Sequence, residues 1–221
     1  MPKDAGAFGD LPDSSWLSLF CGENIMVKKS VQRTIDRTIK SIWLNEICEE
    51  YGKGFFILEA SLQNSFYQHL RCKLGELLIE NDLYIYPEFY FGNLGYYADL
   101  AICKMDMSRA TYHLRDRMTD VAAIIELKYG GSNDYIKTDI PKLRTYIQVS
   151  GYKCQYYFGA IDEGAGRGRL NWLDRRSTNH WASGCFTELN AGYLNGKMYF
   201  EINSYNGMNV QQEAAECSII W

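Results

Sequence analysis

Residues 124–131 read IIELKYGG and close the apolar run Val121–Ile125. Five consecutive apolar residues before a Gly-Gly break predict a strand over 121–129, covered on both faces. Side chains alternate along a strand, so Glu126 and Lys128 share a face. An acid and a base at the covered end of a strand are costly unless they are paired or hold a cation. The alternative is a surface ion pair between the two, worth about 0–1 kcal/mol.

The neighbouring segments build outward from this strand. LYIYPEFYF (83–91) and YYADLAIC (96–103) are rich in β-branched and aromatic residues and flank Gly92-Asn93-Leu94-Gly95, which predicts a hairpin. By strict alternation Tyr97, Asp99 and Ala101 share one face of the second strand. A polar connection over 104–120 leads to 121–129. Upstream, Leu58, Leu62, Phe66, Leu70, Leu74 and Leu78 step by four, which predicts a helix from about 58 to 80. At 100° per residue Glu59 falls inside that apolar stripe. It either serves the positive end of the helix or has a role in a site. Downstream, Asp139 and Pro141 predict a helix start, with Asp139 as its cap. Gln155–Ile161 reads as a fourth strand. The segments Phe186–Leu194 and Met198–Tyr205 flank Asn195-Gly196 and predict a second hairpin. Before all of these, residues 1–22 read as an irregular lead-in. Residues 23–50 read as one amphipathic helix or a pair, ended by Gly52 and Gly54.

Composition narrows the function classes. The 221 residues suffice for one well-filled core, with 47% hydrophobic and 23% charged residues. No apolar run reaches the length needed to span a bilayer, and the first residues lack a basic-then-apolar leader, so a cytoplasmic protein without a membrane partner is expected. The seven cysteines are scattered without Cys-x-x-Cys spacing, which argues for reduced thiols over zinc or disulfides. His69, His113 and His180 have no partners at ligand spacing. A net charge of −4 does not announce nucleic-acid binding, although Arg167, Arg169, Arg175 and Arg176 cluster around Trp172. That segment could follow a phosphate backbone or be a solvated basic loop.

Asp99 and Glu126, at adjacent strand ends, would repel one another. A hard divalent cation removes the repulsion, and Mg²⁺ takes one or two carboxylates and completes its shell with water and phosphate oxygens. Lys128 beside it would orient the attacking water or stabilise developing negative charge.

Asp99 followed 27 positions later by Glu126-Leu127-Lys128 resembles the PD-(D/E)XK motif of restriction-endonuclease-like nucleases. The flanking pattern is similar too, with Glu59 on a preceding helix, and a helix through Lys142 and then a strand following. The resemblance covers about residues 57–162. The proline of the motif name is absent, since Tyr97-Ala98 precedes Asp99. The resemblance implies an α/β fold of the mixed α+β kind, a four-stranded mixed sheet flanked by helices. To this core the sequence adds an N-terminal helical extension (1–54) and a β-rich C-terminal extension (163–221) carrying a β-hairpin, all in a single domain. It implies Asp99 and Glu126 as metal ligands for Mg²⁺, with Mn²⁺ as substitute, Lys128 as the catalytic lysine and Glu59 as an auxiliary acid. Lys142 and the four arginines would meet substrate. The implied activity is a Mg²⁺-dependent endonuclease or phosphodiesterase acting on DNA more than RNA, and a homodimer stays open. Two other classes compete: a non-catalytic nucleic-acid or protein-binding module on the same scaffold, and a structural partner that uses the helical arm.

Overall fold

A computed structural model describes residues 26–92, 94–130, 137–149, 153–164, 172–173, 181–206 and 209–218. The lead-in and the start of the first expected helix lie outside these residues. Helix α1 (Lys29–Ile42) buries Val31, Ile35, Ile39 and Ile42 and runs through a π-helical turn, Trp43–Ile47, into α2 (Cys48–Gly52). The wider turn keeps the apolar stripe on the sheet, because Trp43 and Ile47 are both fully buried. The Trp43 indole N–H donates to the Asn190 carbonyl at 3.1 Å.

Helix α3 (Glu59–Glu80) buries Leu62, Phe66, Leu70, Leu74 and Leu78, as the four-residue step predicts. Leu58 is the N-cap and half exposed, not a member of the buried stripe. The Ser61 hydroxyl accepts from the Leu58 N–H at 3.3 Å, satisfying a group that the helix start leaves open.

The strands are β1 (Leu83–Phe91), β2 (Tyr96–Met105), β3 (Met118–Tyr129), β4 (Gln155–Asp162), β5 (Phe186–Leu194), β6 (Lys197–Asn206) and β7 (Asn209–Cys217), with helix α4 (Ile140–Val149) between β3 and β4. They form one mixed sheet in sequence order, parallel at β3–β4 and β4–β5 and antiparallel elsewhere. The expected four-stranded mixed unit is present as β1–β4, and the C-terminal extension continues the same sheet as three strands. The Asn195-Gly196 turn has both residues at positive φ, 53° and 77°, as the twist of a tight hairpin requires.

Two buried clusters sit on the two faces of the sheet. One joins α1, the π turn and α3 to Ile125, Leu127, Tyr157 and Leu189. The other joins Leu143 and Tyr146 of α4 and Trp172 to Ile124, Phe158 and Phe186. Gly159 is required for the first, since a Cβ there would lie 2.6 Å from Leu127 Cδ2 and 3.4 Å from the Trp43 ring. On the second face Glu188 is buried completely. Its Oε1 accepts from the Trp172 and Leu173 amides (3.1 and 2.8 Å), and its Oε2 from Asn190 Nδ2 (3.2 Å) and the Tyr205 hydroxyl (2.7 Å).

Among the described residues six cysteines are free, four of them buried. No described helix is long and apolar enough to cross a membrane.

Candidate active site

Strict alternation does not survive in β2. Ala98 and Ala101, which it places on opposite faces, both pack in the second cluster, while Leu100 and Ile102 pack in the first. The slip falls where Glu88 of β1 adopts φ 50°, between the paired positions Pro87–Leu100 and Phe89–Ala98. On its other side β2 pairs with β3 only as far as Leu100–Ile125. Beyond that pair the strands part, and Asp99 occupies the gap.

The backbone groups freed by the parting are recaptured by side chains. The Leu127 N–H donates to Asp99 Oδ2 at 2.6 Å. Gln63 Nε2, one turn after Glu59 on α3, donates to the Asp99 carbonyl at 2.8 Å and to Glu88 Oε1 at 2.9 Å. Asp99 is thereby tied to β3 and α3 at once.

Glu126 and Lys128 are both buried, and their charges go elsewhere than to each other. Glu126 Oε2 accepts from Lys142 Nζ at 2.7 Å. Lys128 Nζ lies 2.9 Å from Asp139 Oδ2 and 3.2 Å from Glu59 Oε1. A surface pair between the two is therefore excluded by position. Glu59, at the first turn of α3, spends its carboxylate on Lys128 while still facing the positive end of the helix.

Asp139, expected as a helix cap, directs its side chain into the site instead. Its carbonyl accepts from the Leu143 N–H at 2.9 Å, opening α4, and its carboxylate holds Lys128. Lys142, expected to face substrate, directs its ammonium to Glu126. Arg167, Arg169, Arg175 and Arg176 lie outside the described residues.

Six charged side chains thus gather here: Glu59, Asp99, Glu126 and Asp139 against Lys128 and Lys142, four carboxylates to two ammonium groups. Burial raises the Asp99 carboxyl to about 6, against the opposing pull of the Leu127 amide and of Lys142 and Lys128. Burial, followed by the Asp99 charge, pushes Glu126 well above the carboxylate range despite the Lys142 bond. For Lys128 burial acts downward, but Asp139 and then Glu59 outweigh it and the ammonium is held above its ordinary value. Lys128 is a fixed positive charge at neutral pH.

One oxygen of this group has no hydrogen-bond partner among the described residues. Glu126 Oε1 is buried and accepts no hydrogen bond. Among the described residues no three of His, Cys, Asp and Glu enclose a metal position by themselves. The donor set that fits a hard cation is smaller, namely Asp99 and Glu126, with the remaining positions left to water or a ligand oxygen, as Mg²⁺ tolerates.

Tyr146 is a site neighbour that the sequence did not single out. It follows Lys142 by four residues, is fully buried, and its hydroxyl has no partner among the described residues. Burial raises its phenol first, and the charges of Glu126, Asp99 and Asp139 raise it further, so it remains a donor. The four-residue spacing from Lys142 could have marked it.

No family model matches this chain, and no curated protein matches it. Two solved structures are similar in outline. NucC of E. coli MS115-1, in a cAAA-bound form, is 11% identical with a TM-score of 0.43, over 87% of this chain and 85% of that one. NucC of P. aeruginosa ATCC27853, also cAAA-bound, is 10% identical with a TM-score of 0.37, over 94% and 85%. Both are too distant to transfer a residue role, and function has to be read from the side chains.

Proposed function

We propose that this chain is a metal-dependent nuclease that hydrolyses phosphodiester bonds, in DNA in preference to RNA. The observation that carries the reading is the pair Asp99 and Glu126. Burial raises both carboxyls, the Asp99 charge raises Glu126 further across the gap between β2 and β3, and Glu126 Oε1 is buried with no hydrogen bond among the described residues. Desolvated like charges are costly, and their retention beside two lysines points to a cation that joins them.

Mg²⁺, or Mn²⁺ in its place, held by Asp99 and Glu126 would offset their repulsion, polarise the phosphate and activate water. With Asp99 and Glu126 both ionised, the four carboxylates exceed the two ammonium groups by two charges, which one divalent ion would balance. Lys128, pinned by Asp139 and Glu59, stays protonated and so acts as an electrostatic partner rather than a base. It orients the attacking water and stabilises charge that develops on the phosphate oxygens. Glu59 and Asp139 hold that ammonium in place, and Lys142 balances the second oxygen of Glu126. These roles make Glu59 an auxiliary acid acting through Lys128.

A second reading is a nucleic-acid or protein-binding module without chemistry. It is favoured by one observation: Lys142 already serves as a counter-ion to Glu126. Incubation with plasmid, linear duplex, single strand and RNA, each with Mg²⁺, Mn²⁺ or EDTA, separates the two. The nuclease reading expects divalent-dependent cleavage of DNA. Binding without cleavage on every substrate supports the module.

A further inference from the structure

Among the described residues Glu126 Oε1 and the Tyr146 hydroxyl are two buried polar atoms without a partner, and they share a face of the sheet, since Glu126 alternates in step with Ile124, which packs in the cluster of Tyr146. One is an acceptor and the other a donor. Lys142 and Tyr146 are one turn apart on α4 and so lie on one side of it, and Lys142 already grips Glu126 Oε2 at 2.7 Å. Glu126 is also the first of the charges felt by the Tyr146 hydroxyl.

The tyrosine is not free to turn its hydroxyl toward bulk water. Its ring packs edge-on against Phe91 at 5.4 Å and Tyr96 at 6.2 Å, and its carbonyl accepts from the Tyr156 hydroxyl at 3.4 Å. In an apolar setting a phenylalanine would fill the same space without stripping a hydroxyl of water. A buried donor and a buried acceptor on one face can be joined by a bridging water.

We propose that Tyr146 is a positioning residue for the divalent ion: its hydroxyl donates, across one buried water, to Glu126 Oε1 and sets the direction in which that oxygen is offered. This rests on the metal-dependent reading above. Partners one step behind a ligand typically govern affinity by about 10–100-fold.

The test is Tyr146→Phe, which removes one atom and keeps the ring packing. Calorimetric titration with Mn²⁺ in the full chain is expected to show affinity reduced about tenfold or more, with metal-free thermal melting still cooperative and no lower than in the wild type. A purely structural hydroxyl would leave the Mn²⁺ affinity where it was. Equal affinities in wild type and variant overturn the role of Tyr146 and leave the metal reading intact. Absence of Mn²⁺ binding in the wild type overturns both.

Discussion

Glu126 and Glu188 invite comparison because position makes them near twins. Both have no solvent exposure, and both are in register with Phe158, from β3 on one side and from β5 on the other. They flank one phenyl ring, roughly 10 Å apart across two strand spacings. Their surroundings differ. Glu188 receives two backbone amides, a side-chain amide and a phenol, all uncharged donors, and both oxygens are saturated. Glu126 receives one ammonium on one oxygen and, among the described residues, nothing on the other. A saturated buried carboxylate serves the fold, here by fastening Trp172 and Leu173 to the sheet. An unsaturated one, beside a second carboxylate, suits the proposed role of holding a cation.

The largest effect expected from this contrast is on stability. Glu188→Ala leaves four buried donors unmet and should cost about 3–5 kcal/mol by denaturant unfolding. Glu126→Gln should change metal-free stability by less than about 1 kcal/mol, because it also removes a repelling charge. Similar losses in the two variants would break the distinction.

Acidity gives the next measure. Burial raises the Glu188 carboxyl from 4.5 to about 7, its four hydrogen bonds only partly opposing this. A carboxyl raised on folding binds its proton more tightly in the folded state. Its contribution is therefore fully present below the unfolded value and lost as pH rises through about 7. The difference is worth about 3 kcal/mol at most. Wild type should be more stable at pH 5 than at pH 8, and Glu188→Gln should flatten that dependence. Asp99 and Glu126 act in the same direction, so a residue of it should persist. A profile in Glu188→Gln as steep as that of wild type would contradict the assignment.

The smallest effect sharpens the other side. Glu126→Gln should weaken Mn²⁺ binding at least tenfold, about 1.4 kcal/mol, in calorimetry. Unchanged affinity would remove Glu126 from the ion site.

Local pattern carried much of the fold. The four-residue step of α3 and the apolar run before Glu126 report burial directly, and the turn residues of the two hairpins mark where the strands reverse. The strand β7 escaped because its Gln-Gln-Glu-Ala-Ala-Glu stretch is polar and helix-favouring. It is an edge strand fastened by pairing with β6, and its glutamates suit an edge that must not recruit another strand. In the site, Asp99, Glu126, Lys128 and Glu59 were legible from position in predicted elements, and the structure brings them together. Their pairing was not legible. That Lys128 reaches Asp139 and Glu59, and Lys142 reaches Glu126, depends on how α3 and α4 pack at the sheet end. Periodicity within one segment does not report such contacts. Glu188 gave no motif at all, only an acid in an apolar strand.

In the proposed function Lys128 is a fixed charge serving phosphodiester hydrolysis beside Asp99 and Glu126. Single-turnover cleavage of supercoiled plasmid by wild type and Lys128→Ala at saturating Mg²⁺ tests it most directly. The variant should be slower by about 10²–10³-fold, with Mn²⁺ binding intact and folding preserved, since Glu59 and Asp139 are partly exposed and can turn to water. Equal rates in the two proteins would contradict it.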